Sequence, residues 1–177
     1  MDLEKQFHPF SPPRTNLVEQ LRYWASAQPE KIVFRFLTRA EENEIQTLTY
    51  KQLDERARAI ASKLVSMGMV GQRALMMYPP GLEFVEAFLG CYYAGVIPVP
   101  AYPPRRNRNM ARITAISKDA QAAVALTVDS VISRSDEAVG NSPLLRSIQW
   151  LPTEKIPTEL SGDWTKPKMS NDDIGLI

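Results

Sequence analysis

The sequence has very little cysteine and histidine, two residue types that enzymes often use for metal binding and catalysis. Its 177 residues include one cysteine, Cys91, and one histidine, His8. A single cysteine excludes an internal disulfide framework and fits a reducing compartment. A single histidine argues against a histidine-dependent triad and against a histidine-based metal site. Because Cys91 lies in an apolar helical pattern, we predict that it is a core residue and not a nucleophile.

The sequence also lacks long apolar runs and an excess of charge of either sign. No apolar run approaches the roughly 20 residues needed to cross a bilayer, and the N-terminus "MDLEKQFHPF" has no signal-peptide core. The formal net charge of +1 gives no overall field that favours nucleic acid or an anionic membrane. We therefore predict a cytoplasmic protein with no membrane span and no nucleic-acid partner.

Glycine-rich phosphate loops are absent from the sequence. Neither G-x-G-x-x-G nor G-x-x-x-x-G-K-[ST] occurs. Gly81, between two prolines and a predicted helix, could approach an anion, but a tight turn is the favoured interpretation. Asp172 and Asp173 would point to opposite faces of a strand, so they do not form an acid pair. The residues alone thus indicate part of an α/β domain without a complete active site.

The order of local patterns defines the predicted architecture. Residues 1–15 are predicted to be an N-terminal extension, and residues 16–177 the domain. Capping patterns begin helices at Asn16 and Thr49, and the runs "KIVFRFLT" and "EIQTLTY" predict a hairpin-like pair of strands. From Arg73 onward, strands alternate with helices, which predicts a mostly parallel sheet flanked by helices.

The loops at the carboxyl ends of these strands are the expected ligand edge. They are residues 78–81, 101–107, 127–130 and 151–154. Pro98 and Pro100 favour an edge or irregular position for their strand. The run "RSIQWLP" is predicted to be the last strand, and Thr153 to Asn171 a loop.

Four arginines lie in or just after the loop of residues 101–107 and open a predicted helix: Arg105, Arg106, Arg108 and Arg112. Cations at a helix N-terminus are mildly unfavourable, so an anionic group would offset them. A carboxylate, a partner domain or a phosphate-bearing ligand could serve, and a solvated surface run is the alternative. We therefore name these four arginines as partner-contact candidates, and we predict no catalytic, cofactor-binding or metal-binding residue.

Several segments match, in order and spacing, a known enzyme family. The segment "TLTYKQLDERARAIASKLVSMGMVGQRALMMYPPGLEFVEAFLGCYYAGVIPVPAYPP" has the T-Y-x-x-L helix, the apolar strand and the F-x-x-A-F-x-G-x-x-x-A-G-x-x-x-V-P pattern of adenylate-forming enzymes. "RITAISKDAQAAVALT" is similar to their next helix and strand. Together with "VPAYPPRRNRNMARI", the chain resembles the fatty acyl-AMP ligase branch of the acyl-activating superfamily from about Asn16 to Ile177.

The resemblance implies the N-terminal subdomain of an enzyme that activates fatty acids with ATP and Mg²⁺. The acyl-adenylate would then pass to an acyl carrier protein. The family's phosphate loop, its nucleotide-binding segments and its catalytic lysine would lie beyond "DDIGLI", in the remainder of the large domain and a C-terminal domain. We therefore expect the natural protein to continue past Ile177, and these residues alone to be inactive and to bind no cofactor.

Three alternatives to this interpretation remain. A fatty acyl-coenzyme A ligase shares most of the segments quoted above. A non-catalytic α/β module that binds a partner protein would need none of the missing groups. A flavodoxin-like nucleotide-binding domain is disfavoured by the missing glycine signatures.

Overall fold

A computed structural model describes residues 16–39, 44–104, 110–140 and 142–168 of the chain. Within these ranges the elements run in the following order: α1 (Leu17–Ala27), β1 (Ile32–Arg39), β2 (Glu44–Thr49), α2 (Tyr50–Ser66), β3 (Arg73–Met77), α3 (Leu82–Ala94), β4 (Ile97–Ala101), α4 (Met110–Asp119), β5 (Val124–Thr127), α5 (Asp129–Gly140), α6 (Pro143–Ser147) and β6 (Gln149–Pro152). Two short 3-10 helices, Thr153–Lys155 and Thr158–Asp163, follow β6.

The strands form two separate sheets. β3, β4, β5 and β6 form a parallel sheet in the order β4-β3-β5-β6, while β1 and β2 form an antiparallel ribbon. In the parallel sheet, Leu75 lies opposite Val99 on one side and Ala125 on the other. The predicted α/β fold, with its mostly parallel sheet and its hairpin-like pair, is therefore confirmed.

Both faces of the parallel sheet are buried. Ala74 and Met76 belong to a cluster that includes α1, α2 and α3, whereas Leu75 and Met77 belong to a second cluster that includes α4 and α6. Since successive side chains of a strand point to opposite faces, a strand covered on both sides must be apolar throughout. This requirement explains the buried run "ALMM" of β3, residues 74–77.

The prolines of β4 lie on the outer side of an edge strand. The backbone N–H of Ile97 donates to the carbonyl of Gln72, the residue just before β3. Pro98 and Pro100 alternate with Ile97 and Val99 along the strand, so their nitrogens face away from β3. Proline has no N–H to donate, and it is tolerated where no neighbouring strand needs one. The expectation of an edge position is confirmed.

The predicted helix starts are also confirmed. The Asn16 side chain accepts a hydrogen bond of 3.0 Å from the Glu19 N–H. Thr49 and Gln52 form a reciprocal capping box at the start of α2, with bonds of 3.2 and 2.9 Å. Gly95 ends α3 in the left-handed conformation, with φ of 66°, which glycine adopts without a steric penalty.

The prediction was wrong in two places near the C-terminal end. The run "RSIQWLP" was assigned to one strand, but its first residues belong to α6, where Ser142 is the N-cap and Pro143 occupies the first turn. Proline is favoured at that position because its missing N–H would have no helical partner. The segment after β6 was assigned to a loop, but it forms the two 3-10 helices, which distant side chains hold in place.

α2 and α3 approach each other closely at Gly90. A Cβ built on Gly90 would lie 2.6 Å from Cγ2 and 2.8 Å from Cβ of Ile60. Cβ of Ile60 is fixed to the α2 backbone, so it cannot rotate away. Packing therefore requires glycine at position 90, although glycine is a poor helix former.

Replacing Gly90 tests this close contact. We expect Gly90→Ala to lower the free energy of unfolding by about 1 to 2 kcal/mol, because overpacking outweighs the gain in helix propensity. Urea denaturation measures the change. Gly162→Ala is the control, since its added Cβ would meet no heavy atom within 4 Å. Equal effects of the two substitutions would contradict a steric role for Gly90.

Candidate functional site at the carboxyl edge of the sheet

The strand order reverses between β3 and β5, which is where an open parallel sheet forms a crevice at its carboxyl edge. The chain passes from β3 to β4 on one side and then to β5 on the other side of β3. In open parallel sheets, ligands bind where the order reverses in this way, beyond the carboxyl ends of the strands. The four strands end at Met77, Ala101, Thr127 and Pro152. The described parts of the predicted loops therefore meet at one edge.

Three buried side chains link the strand ends at this edge. The hydroxyl groups of Tyr78 and Thr153 share a hydrogen bond of 2.8 Å. Thr153 Oγ1 donates to the Thr127 carbonyl at 3.4 Å, and Thr127 Oγ1 donates to the Met77 carbonyl. Since Thr153 donates to Thr127, Tyr78 must be the donor to Thr153. We call Tyr78, Thr127 and Thr153 the strand-end clasp.

The helix N-termini beside the crevice already meet carboxylates of the chain itself. Glu154 Oε1 accepts a 2.5 Å hydrogen bond from the Asp129 N–H at the start of α5, and Lys155 pairs with the Asp129 side chain at 2.5 Å. At the start of α3, the Glu83 carboxylate lies against Gly81. These two positions are thus occupied by negative charge, which disfavours a phosphate there.

Arg56 of α2 fixes the segment that carries Thr153. Its Nη2 donates to the Thr153 carbonyl at 2.9 Å and its Nη1 to the Ile156 carbonyl at 2.7 Å. Its Nε bonds to Glu86 of α3 at 3.3 Å. Burial raises the pKa of Glu86, although Arg56 acts in the opposite direction. One guanidinium therefore joins α2, α3 and the chain after β6.

A second polar network holds the last described residues against the helices. The Asp54 carboxylate accepts bonds from the Tyr93 hydroxyl at 2.7 Å and from Arg58 Nε at 2.8 Å. Arg58 also donates to the Ser161 carbonyl at 2.6 Å, and Trp164 Nε1 donates to the Tyr93 carbonyl at 2.9 Å. Burial, followed by the charge of Asp54, raises the pKa of Tyr93, so its hydroxyl stays protonated.

The structure places only some of the candidates taken from the sequence. Arg112 is exposed on the first turn of α4. Arg105, Arg106 and Arg108 lie outside the described residues, as do His8, Asp172, Asp173 and the predicted extension of residues 1–15. Cys91 is fully buried, and burial raises the pKa of its thiol, which confirms a core role.

Sequence reasoning missed the clasp and Arg56. Tyr78 and Thr153 are 75 positions apart, and Arg56 and Thr153 are 97 apart. No local pattern marks such pairs. The one available signal was the position of Tyr78 and Thr153 in the loops predicted to form the ligand edge.

In the described part of the chain, no group of three or more histidine, cysteine, aspartate or glutamate side chains could hold a metal ion. Among the described helices, none is long and apolar enough to span a bilayer.

The chain belongs to the AMP-binding enzyme family, whose sequence pattern matches residues 21–175. Within this class it is similar to the medium-chain-fatty-acid–[acyl-carrier-protein] ligase JamA of Moorena producens. The two are 41% identical over 170 residues, which are 94% of this chain and 28% of JamA. The long-chain-fatty-acid–AMP ligase FadD32 of Mycobacterium marinum is 26% identical over 165 residues, 89% of this chain and 25% of that protein.

A solved structure gives the same result. The fatty acyl-adenylate ligase from L. pneumophila, in complex with acyl adenylate and pyrophosphate, superposes with a TM-score of 0.79 and 31% sequence identity. The superposition covers 90% of this chain and 27% of the Legionella protein. The chain thus spans about a quarter of the length of these ligases.

Truncation of Arg56 tests whether it anchors the segment after β6. We expect Arg56→Ala to lower the free energy of unfolding by about 2 to 4 kcal/mol, because it leaves two carbonyls and the partly buried Glu86 without their partner. Thermal and urea denaturation measure the loss. Arg35→Ala, at an exposed position of β1, is the control, and an equally small effect of both substitutions would contradict the anchoring role.

Proposed function

We propose that the chain is the N-terminal part of a fatty acyl-AMP ligase, which activates a fatty acid with ATP to an acyl-adenylate. The observation that carries the proposal is the 41% identity to JamA over 94% of the chain. The superposition on the Legionella ligase supports the same conclusion. We further propose that the acceptor is an acyl carrier protein, as in the name of JamA, with coenzyme A as the alternative.

The chemistry of adenylation shows which groups such an enzyme needs in addition to the described residues. The fatty acid carboxylate attacks the α-phosphate of ATP and pyrophosphate leaves. Because both reactants are anionic, cationic groups and N–H donors must offset their repulsion. At the described edge, Glu83 and Glu154 instead place carboxylates at two helix N-termini. We infer that the phosphate-binding groups belong to polypeptide beyond the described residues.

Mg²⁺ is the metal that such a reaction uses to neutralise phosphate charge. The described residues do not fit a Mg²⁺ site, since they contain no cluster of three or more potential ligands. We therefore assign no metal-dependent step to the described residues. Their proposed contribution is the crevice, its rigid strand ends and a surface for the rest of the ligase. A cytoplasmic location stays a prediction.

An exchange assay tests the proposed activity. We expect the full-length protein to exchange labelled pyrophosphate into ATP only when a fatty acid is present, and the 177-residue chain alone to show no exchange. Exchange by the 177-residue chain would contradict the assignment of the reactive groups to other residues. A full-length protein without exchange would favour a non-catalytic α/β interaction module.

The role of the arginine candidates is a separate proposal. We propose that Arg105, Arg106, Arg108 and Arg112 contact acidic groups on the carrier protein. The exposure of Arg112 supports a surface role. Complementary charges mainly raise association rates and lose effect as salt increases.

Charge reversal separates this proposal from a solvated surface run. In the full-length protein, we expect Arg105→Glu with Arg108→Glu to slow acyl transfer to the carrier by about tenfold at low salt. Adenylate formation, measured by pyrophosphate exchange, should change little. Arg35→Glu on the β1–β2 ribbon is the control. Equal effects on the two steps, or none on transfer, would exclude the carrier contact.

A further inference from the structure

Tyr78 fills one side of the crevice between β3 and β5. Its ring lies in the buried cluster that includes α2 and α3, and it meets the Phe84 ring edge-on with centroids 6.2 Å apart. The residue is only 7% exposed. At this strand end, the side toward α2 and α3 is thus filled by protein.

The hydroxyl of Tyr78 connects strands that are not neighbours. β5 lies between β3, which precedes Tyr78, and β6, which precedes Thr153. The 2.8 Å bond to Thr153 therefore ties β3 to β6, and the bond from Thr153 to the Thr127 carbonyl includes β5. Burial raises the pKa of Tyr78, so the phenol stays neutral and continues to donate above neutral pH.

The hydroxyl contributes more to geometry than to stability. A phenylalanine would fill the same apolar space, and the net gain from one buried hydrogen bond is small because folding exchanges it for a bond to water. A buried network with every member bonded, by contrast, favours a single arrangement. The clasp fixes that arrangement at the edge where ligands bind in such sheets.

We propose that Tyr78 is a positioning residue of the ligase reaction, which holds the strand ends in the geometry that binds one of the two substrates. This inference rests on the proposed function. Tyr78 acts through Thr153 and the strand ends and does not itself react. The substrate whose KM changes when the clasp is altered is the one that binds at the crevice.

Steady-state kinetics of the full-length protein test the proposal. We expect Tyr78→Phe to raise KM for either ATP or the fatty acid by about three- to tenfold, the range that corresponds to one hydrogen bond. The KM for the other substrate and kcat should stay near the wild-type values, and the melting temperature should change by less than about 5 °C. Tyr92→Phe is the control. It removes a hydroxyl on α3 for which the structure describes no hydrogen bond.

Substitutions of Thr153 complete the test. Thr153→Val should reproduce the change in KM, Thr153→Ser should largely preserve wild-type KM, and the double variant Tyr78→Phe/Thr153→Val should add little to either single change. Wild-type KM values in Tyr78→Phe would overturn the proposal. A lower kcat that accompanies a loss of stability, with both KM values unchanged, would also overturn it. If the wild-type protein forms no acyl-adenylate, the proposed function fails and this inference fails with it. Normal wild-type turnover with unaltered Tyr78→Phe kinetics overturns this inference alone.

Discussion

The Arg56 guanidinium is the interaction on which the arrangement of the carboxyl edge depends. Its planar set of donors binds two carbonyls of the segment after β6 and the Glu86 carboxylate of α3. That segment has a short apolar part of its own, chiefly Ile156, Leu160 and Trp164. Without the guanidinium, the carbonyl of Thr153 would lose its fixed donor, and Thr153 would no longer be held beside Tyr78.

The ionisable groups in this layer show how the molecule offsets the cost of burying charge. Asp54 is 7% exposed and accepts bonds from both Tyr93 and Arg58. Glu86 is bonded to Arg56, yet burial still raises its pKa. Buried ion pairs rarely contribute much net stability, but the loss of one partner is costly. The main effect of these pairs is therefore to fix how α2, α3 and the chain after β6 pack together. Their net contribution to stability is smaller.

The fold could be predicted from the sequence where short-range patterns determine it. The capping box at Thr49, the left-handed Gly95 and the apolar run of β3 each depend on residues a few positions apart. The clasp and the Arg56 contacts could not be predicted, because they join residues from distant parts of the chain that only tertiary folding brings together. The short helix α6 had a local signal in Ser142 and Pro143, which the apolar run of the following strand outweighed.

Because of the prolines of β4, the two edges of the parallel sheet differ in their ability to pair with a further strand. At Pro98 and Pro100 the outer side of β4 presents carbonyls without N–H groups, so an incoming strand would find only half of a hydrogen-bonding ladder. Among the described strands, β6 is the other edge of this sheet. Any strand that lengthens the sheet, whether it comes from the same polypeptide or from another, is therefore directed to β6.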